Sequence, residues 1–231
     1  MRLSKLDALR GITLLSMIAY HTMWDLVYLY GVDVPWYAKT PGFVWQQSIC
    51  WTFILLSGFS WSLGHHHFKR GLTVFFAGAL VTLVTCLFMP EEVVWFGILT
   101  FMGSAMLLMI PLDRLFGKRN TAFLLISALI SFALFMVTGN ISSSGFPGGN
   151  YFTTFLGFPF PGFFSTDYFP VIPWFFLYFT GYAASRITPE KYRAHLVDSI
   201  CPPLEFIGRH TLIIYLLHQP VIFGITNLIF S

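Results

Sequence analysis

The chain has 231 residues, of which 56% are hydrophobic, 19% aromatic and only 10% charged, with a formal net charge of +3 and a mean hydropathy of +0.71. A soluble domain carries about 25% charged residues, so this composition excludes an ordinary soluble protein and indicates an integral membrane protein. The apolar runs are about 20 residues long and lack the alternating pattern of a membrane β-barrel, which predicts helical spans.

Seven apolar runs are candidate spans in a single domain covering residues 1–231. They cover residues 9–30, 43–63, 72–89, 93–112, 121–138, 168–185 and 206–230. The connections after the second, fourth and sixth runs are basic, and every Lys and Arg except Lys39 falls on one side. Positive residues stay on the cytoplasmic side. The sequence therefore predicts an all-α, polytopic transmembrane helical bundle of about seven spans in the cell membrane, with a cytoplasmic N-terminus and an external C-terminus.

The first span carries three ionisable side chains, Arg10, His21 and Asp25. At about 100° per residue they fall on one stripe of a helix, together with Asp7. An ionisable group near the middle of a bilayer costs roughly 2.5–3.5 kcal/mol, so the stripe must face the interior of a bundle or an aqueous cavity. A structural polar cluster that holds helices together is the plainer interpretation. We favour catalysis or substrate binding, because packing does not require an aligned series of polar groups.

Depth along the helix selects the candidate catalytic residues. His21 lies about 16 Å deeper than Arg10 at 1.5 Å per residue, close to the membrane midplane. Asp25 follows one turn later, at the spacing where a carboxylate can hold an imidazole by one nitrogen. In the last span, His218 lies about 14 Å deeper than Arg209 and precedes Pro220. His21, Asp25 and His218 are therefore the candidate catalytic residues, and the two imidazoles could meet inside the bundle.

Basic residues cluster on the predicted cytoplasmic rim, and topology alone explains most of them. A subset flanks the mouths of the spans that carry His21 and His218, where it could hold an anionic ligand such as a polyphosphate. These candidate donor-binding residues are Arg10, Lys69, Arg70, Arg209 and His210. No metal is expected, because adjacent histidines such as those at 65–67 do not converge on a helix and the three cysteines have no metal-binding spacing.

The predicted outer side offers weaker signals. Gln46 and Gln47, near the outer end of the second span, and Asp167, before the sixth, are candidate substrate-binding residues. The connection 139–167 is long and rich in Gly, Pro and Phe, with SSSG and PGG turn signals. Its aromatic rings could stack on a sugar, although an interfacial aromatic belt is the favoured interpretation. The charged segment 188–205 is predicted to form a short interfacial helix and turn.

Several segments resemble a known family. In chain order they are LDALRGITLLSMIAYH, ILLSGFSWSLG followed by KRG, WFGILTFMGSAMLL, DYFPVIPWFFLYFTG and FIGRHTLIIYLLHQPVI. Together they are similar to the small bacterial relatives of heparan-alpha-glucosaminide N-acetyltransferase, integral-membrane acyltransferases with an Arg-x10-His first helix. The resemblance covers nearly the whole chain.

This resemblance implies a reaction. An acyl group would pass from cytoplasmic acetyl-CoA through the bundle to an amine or hydroxyl on the far side, typically of a sugar, with no nucleic acid involved. The lysosomal members have their functional histidine after the first helix and an Asn at the position of His21. Here residues 32–42 contain no histidine, so the role falls to His21, as general base or acyl relay.

Two other functions remain open from the residues alone. A proton-coupled small-solute transporter could use Asp25, His21 and His218 as its relay, although no internal repeat of the kind common in transporters is visible. A structural membrane subunit could use the polar stripe only for packing. Acceptor identity and oligomeric state, including a homodimer, stay undetermined.

Overall fold

The computed structural model describes residues 3–139 and 145–230 of the chain. These residues form α-helices, a π-helical turn (Asp25–Leu29) and a 3-10 turn (Pro90–Glu92), with no strand among them. The helices are α1 (Ser4–Trp24), α2 (Thr40–Trp61), α3 (His67–Phe88), α4 (Ile98–Phe116), α5 (Thr121–Thr138), α6 (Tyr151–Leu156), α7 (Val171–Ile187), α8 (Glu190–Ala194), α9 (Pro202–Arg209) and α10 (Thr211–Phe230). The all-helical membrane fold is thereby confirmed.

Each of the seven predicted spans overlaps a long helix. Within the described part of the chain, five helical segments are long and apolar enough to cross a membrane. They are Ser4–Leu29, His67–Phe88, Ile98–Phe116, Thr121–Thr138 and Thr211–Phe230. α2 is not among them, and α7 has 17 residues. The number of spans and the sides on which the termini lie therefore stay predictions.

The structure differs from the sequence expectation at two places. The predicted last span, 206–230, is broken at His210, where the Thr211 hydroxyl donates to the Gly208 carbonyl at 2.7 Å. The long connection contains α6, which begins with a capping box at Asn150. Arg2 and residues 140–144, which hold most of the SSSG signal, lie outside the described residues. The short helix expected within 188–205 is α8.

The chain divides into two compact units. The first unit comprises Met1–Phe53 and Pro189–Ser231, and the second comprises Ile54–Thr188. In the first unit the backbones of α1 and α9 are in contact where the two helices cross. A Cβ atom on Gly11 would overlap the Leu204 carbonyl, and a Cβ atom on Gly208 would overlap the Asp7 carbonyl. Small residues at a crossing let two helices approach this closely, and here they join the N-terminal part of α1 to the segment that leads into α10.

In the second unit α3 packs on α4 and α5 packs on α7. Phe101, Tyr178 and Tyr182 are among its fully buried side chains. Two backbone hydrogen bonds join the segments that precede α4 and α7, one from Thr166 to Val93 at 3.1 Å and one from Phe169 to Phe96 at 2.9 Å. These bonds place Asp167, which lies between the two donors, beside the start of α4.

Candidate active site

Two histidines of the first unit are in contact. His21 lies in the last turn of α1, and His218 lies within α10. Nδ1 of His21 and Nε2 of His218 are 2.6 Å apart, and the stacked rings have centroids 4.8 Å apart. His218 is buried, whereas His21 is partly exposed. The similar depths deduced from the sequence suggested that the imidazoles could meet, and in the structure they share a hydrogen bond.

A backbone carbonyl determines which nitrogen carries each proton in this pair. Nδ1 of His218 is hydrogen-bonded to the carbonyl of Tyr215, and a carbonyl oxygen can only accept. Nδ1 of His218 is therefore the donor, so Nε2 of the neutral ring is the acceptor. His21 must then donate from Nδ1, which leaves the lone pair on its Nε2. A free lone pair on a partly exposed imidazole is the feature that a general base requires.

Asp25 pairs with α10 instead of with His21. Its side chain is fully buried, and its Oδ1 accepts a hydrogen bond of 2.7 Å from the amide of Gln219. Its Oδ2 has no hydrogen-bond partner among the residues that the structure describes. The expectation that Asp25 holds the His21 ring is therefore wrong. The physical reason is that both side chains have partners on α10, since the His21 ring bonds His218 and Oδ1 of Asp25 bonds Gln219.

Aromatic rings lie around the C-terminal end of α1. The ring of Tyr20 has centroid distances of 5.0 Å to Tyr37, 5.3 Å to Trp45 and 6.1 Å to His21. The buried Tyr37 hydroxyl donates to the Tyr20 carbonyl at 2.9 Å. Burial raises the pKa of Tyr37, and its interactions with Tyr20 and with nearby charges, Asp25 among them, raise it further. Such surroundings exclude water and strengthen electrostatic interactions with His21 and Asp25.

Two predicted donor-binding residues belong to one charged cluster between α1 and α9. An Arg10 nitrogen lies 2.5 Å from an Asp7 oxygen. Nitrogens of Arg209 lie 3.2 Å from Glu205 and 4.0 Å from Asp7. The side chains of Arg10 and Arg209 remain 23% and 35% exposed. A guanidinium has five N–H donors, so an anion at this cluster would share both arginines with the two carboxylates.

Glu205 has a structural role in this cluster. It is buried, and its Oε1 accepts hydrogen bonds from the Ser199 hydroxyl at 2.6 Å and from the backbone N–H groups of Ile200 at 3.1 Å and Cys201 at 3.3 Å. These bonds, with that from Ser199 the strongest influence, and the charge of Arg209 hold the pKa of Glu205 below its usual range. Glu205 is therefore ionised, and its carboxylate holds the turn before α9 in place.

The other predicted donor-binding residues are not members of this charged cluster. His210 is exposed at the break between α9 and α10, and its Nδ1 donates to the Phe206 carbonyl at 2.8 Å. Lys69 and Arg70 are exposed in the first turn of α3, which belongs to the second unit. Their convergence with Arg10 and Arg209 on one ligand stays a prediction.

The predicted substrate-binding residues are also distributed over both units. Gln46 and Gln47 are partly exposed in α2, and Gln47 accepts a hydrogen bond of 3.0 Å from the Trp51 indole. In the second unit Asp167 accepts a hydrogen bond of 3.0 Å from the N–H of Ile98, the first residue of α4. Burial raises the pKa of Asp167 to about 6, against the opposing effect of that hydrogen bond. Asp167 thus caps α4, and a role toward substrate stays a prediction.

Sequence reasoning missed Gln219 as part of the site. The sequence does contain a signal for this residue, because Gln219 is a polar amide in an apolar helix and lies between His218 and Pro220. On α10 His218 contacts His21 while the next residue contacts Asp25. Two adjacent residues of α10 thus bind two polar groups that lie one turn apart, His21 at the end of α1 and Asp25 at the start of the π-helical turn.

Comparison with known proteins gives one family. The family model described as "Heparan-alpha-glucosaminide N-acetyltransferase, catalytic" matches residues 2–220, a range that includes His21, Asp25, His218 and Gln219. No curated protein and no solved structure matches the chain.

Proposed function

The chain belongs to the family of heparan-alpha-glucosaminide N-acetyltransferase catalytic domains, a family of membrane acetyltransferases, and from this premise we propose that it is an acyl-CoA-dependent membrane acyltransferase. The donor is cytoplasmic acyl-CoA, with acetyl-CoA as the reference substrate. The acceptor is an amine or a hydroxyl of a sugar-like molecule on the other side of the membrane.

The free Nε2 of His21 is the observation that carries this proposal. As the acceptor attacks the thioester carbonyl, Nε2 takes the proton of the attacking nitrogen or oxygen. The new C–N or C–O bond forms, the C–S bond breaks, and the proton passes from His21 to the leaving thiolate. Such proton transfer contributes about 10²- to 10⁴-fold to a rate. His218 is a positioning residue, because it fixes the ring and tautomer of His21.

The charged residues suggest how the substrates are held. The side chains of Arg10 and Arg209, which are 23% and 35% exposed, are the candidates to bind the phosphates of the donor. In this proposal Lys69, Arg70 and His210 add positive charge on the same side of the membrane, and Gln46, Gln47 and Asp167 face the acceptor side.

Donor binding is the first experiment. The melting temperature of the purified protein in detergent is measured with acetyl-CoA, free CoA or ATP. A ligand at about 100 times its dissociation constant stabilises the fold by roughly 2.7 kcal/mol. We expect stabilisation by acetyl-CoA and CoA that Arg10→Ala weakens and that Lys118→Ala, which removes an exposed cation elsewhere, leaves unchanged. The absence of any shift at saturating concentrations would favour a proton-coupled transporter.

Catalysis is tested by acyl transfer from acetyl-CoA to glucosamine as a probe acceptor. We expect His21→Ala to lower the rate about 10²- to 10⁴-fold with little change in melting temperature. His218→Ala should cause a smaller loss, and the double variant should be no slower than His21→Ala, because both residues act through one nitrogen. If the residue is needed only for packing, its substitution should lower the activity and the thermal stability of the protein together.

A further inference from the structure

Basic side chains of the second unit gather at one end of its helices. They are Arg114 in the last turn of α4, Lys118 and Arg119 in the connection 117–120 between α4 and α5, and Arg186 in the last turn of α7. We call these residues the basic cluster. A general excess of cations on one side of a membrane follows from topology, but topology does not require that separate helices bring their cations to one place.

An ion pair holds the cation of α7 at the end of α4. A terminal nitrogen of Arg186 lies 2.5 Å from Oδ1 of Asp113, and the Tyr182 hydroxyl donates to the same oxygen. A Cβ atom on Gly117 would lie 3.1 Å from that nitrogen of Arg186, so the guanidinium lies against the start of the connection. The cation of α7 therefore joins those of α4 and of the connection.

The positive charge of the basic cluster is mostly uncompensated. Asp113 is the single acidic residue in the segment 93–166, and Arg186 already pairs with it. Among the residues that the structure describes, no carboxylate forms a salt bridge with the other three members of the cluster, and all three are exposed. Four cations and one carboxylate leave three positive charges at this place, which favours an anionic partner.

The basic cluster lies at a membrane surface and borders on apolar side chains. α4 and α5 are each long and apolar enough to cross a membrane, so the short connection between them lies where the hydrocarbon ends. Nε of Arg119 donates to the Leu115 carbonyl at 3.3 Å, and the Arg119 guanidinium carbon lies 5.3 Å from the centre of the Phe123 ring. Leu115 is 62% and Phe123 41% exposed. A partner at this place therefore meets cations and an apolar surface together.

We infer that the basic cluster binds the headgroup phosphate of an anionic phospholipid, such as phosphatidylglycerol, while the acyl chains of that lipid cover Leu115 and Phe123. Guanidinium and ammonium groups bind phosphate through charge-assisted hydrogen bonds. A zwitterionic headgroup carries a cation of its own, which the cluster repels, whereas an anionic headgroup does not. Clusters of Lys and Arg beside spans recognise acidic lipids in this way.

The lipid site goes beyond the proposed function, because it uses none of the residues of the proposed reaction. Its phosphate would bridge the cations at the end of α4 and in the connection to Arg186 of α7. A soluble phosphate compound offers the same charge but has no acyl chains for the apolar surface. The test therefore has to separate a lipid from a soluble phosphate.

Lipid binding is measured by native mass spectrometry of the full chain in detergent. Dissociation constants are compared for phosphatidylglycerol and for phosphatidylcholine with the same acyl chains. Wild type should bind phosphatidylglycerol at least about tenfold more tightly, because each Lys or Arg near an anionic headgroup contributes a factor of about five. For the same reason Lys118→Gln should weaken phosphatidylglycerol about fivefold, and Lys118→Gln combined with Arg119→Gln about 25-fold. Both variants should bind phosphatidylcholine as wild type does.

Lys39→Gln is the matched control. It removes an exposed lysine of the first unit, in the connection between α1 and α2, and it should leave both dissociation constants unchanged. Equal affinities of wild type for the two lipids would overturn the inference. The same holds if the double variant binds phosphatidylglycerol as tightly as wild type, or if Lys39→Gln weakens it as much as Lys118→Gln does.

Inorganic phosphate provides the arm that identifies the source of the anion. Added in excess, it should displace phosphatidylglycerol no more than chloride does at the same ionic strength, because screening is then equal and phosphate has no acyl chains. Stronger displacement by phosphate would indicate a site for a soluble phosphate and would overturn the lipid assignment. Substitutions at exposed positions seldom unfold a protein. If the double variant is not recovered, the comparison of the two lipids and the phosphate competition, both made on wild type, decide the question.

Discussion

The crossing of α1 and α9 predicts a sharp effect of adding one methyl group. In Gly208→Ala the new Cβ would lie 1.8 Å from the Asp7 carbonyl oxygen and 2.7 Å from its carbon, whereas non-bonded heavy atoms in contact are about 3.5 Å apart. The helices would have to separate by more than about 1 Å. The atoms in the way are backbone, which cannot rotate aside as a side chain does. Overpacking of this kind typically costs about 1–3 kcal/mol, so we expect a melting temperature several degrees lower.

Gly224→Ala is the matched control for this substitution. Gly224 lies in α10 of the same unit, and nothing stands within 4 Å of a Cβ placed there. Ala is favoured over Gly inside a helix by about 0.5–1 kcal/mol, so this variant should melt at or above the wild-type temperature. Both are measured by thermal denaturation in the same detergent. Equal melting temperatures for the two variants would refute the backbone contact.

Other predictions concern buried carboxylates and helix contacts. Because burial raises the pKa of Asp167 to about 6, the folded state favours its protonated form, so stability is greatest below the unfolded pKa of about 4 and falls as pH rises through 6. Asp167→Asn should therefore make the melting temperature less dependent on pH between about 4 and 6, and at pH 8 it should raise the free energy of unfolding by at most about 3 kcal/mol; a variant as pH-dependent as wild type would contradict this reasoning. Glu205→Ala should lower the melting temperature clearly, because Ser199 and two backbone N–H groups lose their acceptor, whereas Asp198→Ala at a side chain that is 74% exposed should not. In Gly11→Ala combined with Gly208→Ala, the second substitution should cost less than the first, because both act at one crossing; fully additive losses would show two independent contacts.

The sequence alone determined the class of the protein and indicated candidate residues for its chemistry. Apolar runs of spanning length in a chain with only 10% charged residues require helices, because lipid leaves no other way to satisfy most backbone groups. The depths of His21 and His218 followed from the constant rise of a helix, which holds wherever the helix is regular. The ordered segments from LDALRG to HQPVI were enough to indicate the family that the match over residues 2–220 shows.

Only the tertiary structure decided how those residues are paired. The period of a regular helix placed Asp25 beside His21, but α10 supplies a partner to each of them: Gln219 bonds the carboxylate and His218 bonds the imidazole. The backbone contact through Gly11 and Gly208 and the cap that Asp167 supplies to α4 depend on segments far apart in the chain. Helical periodicity describes one helix at a time, and the partner of a polar group in this protein lies on another.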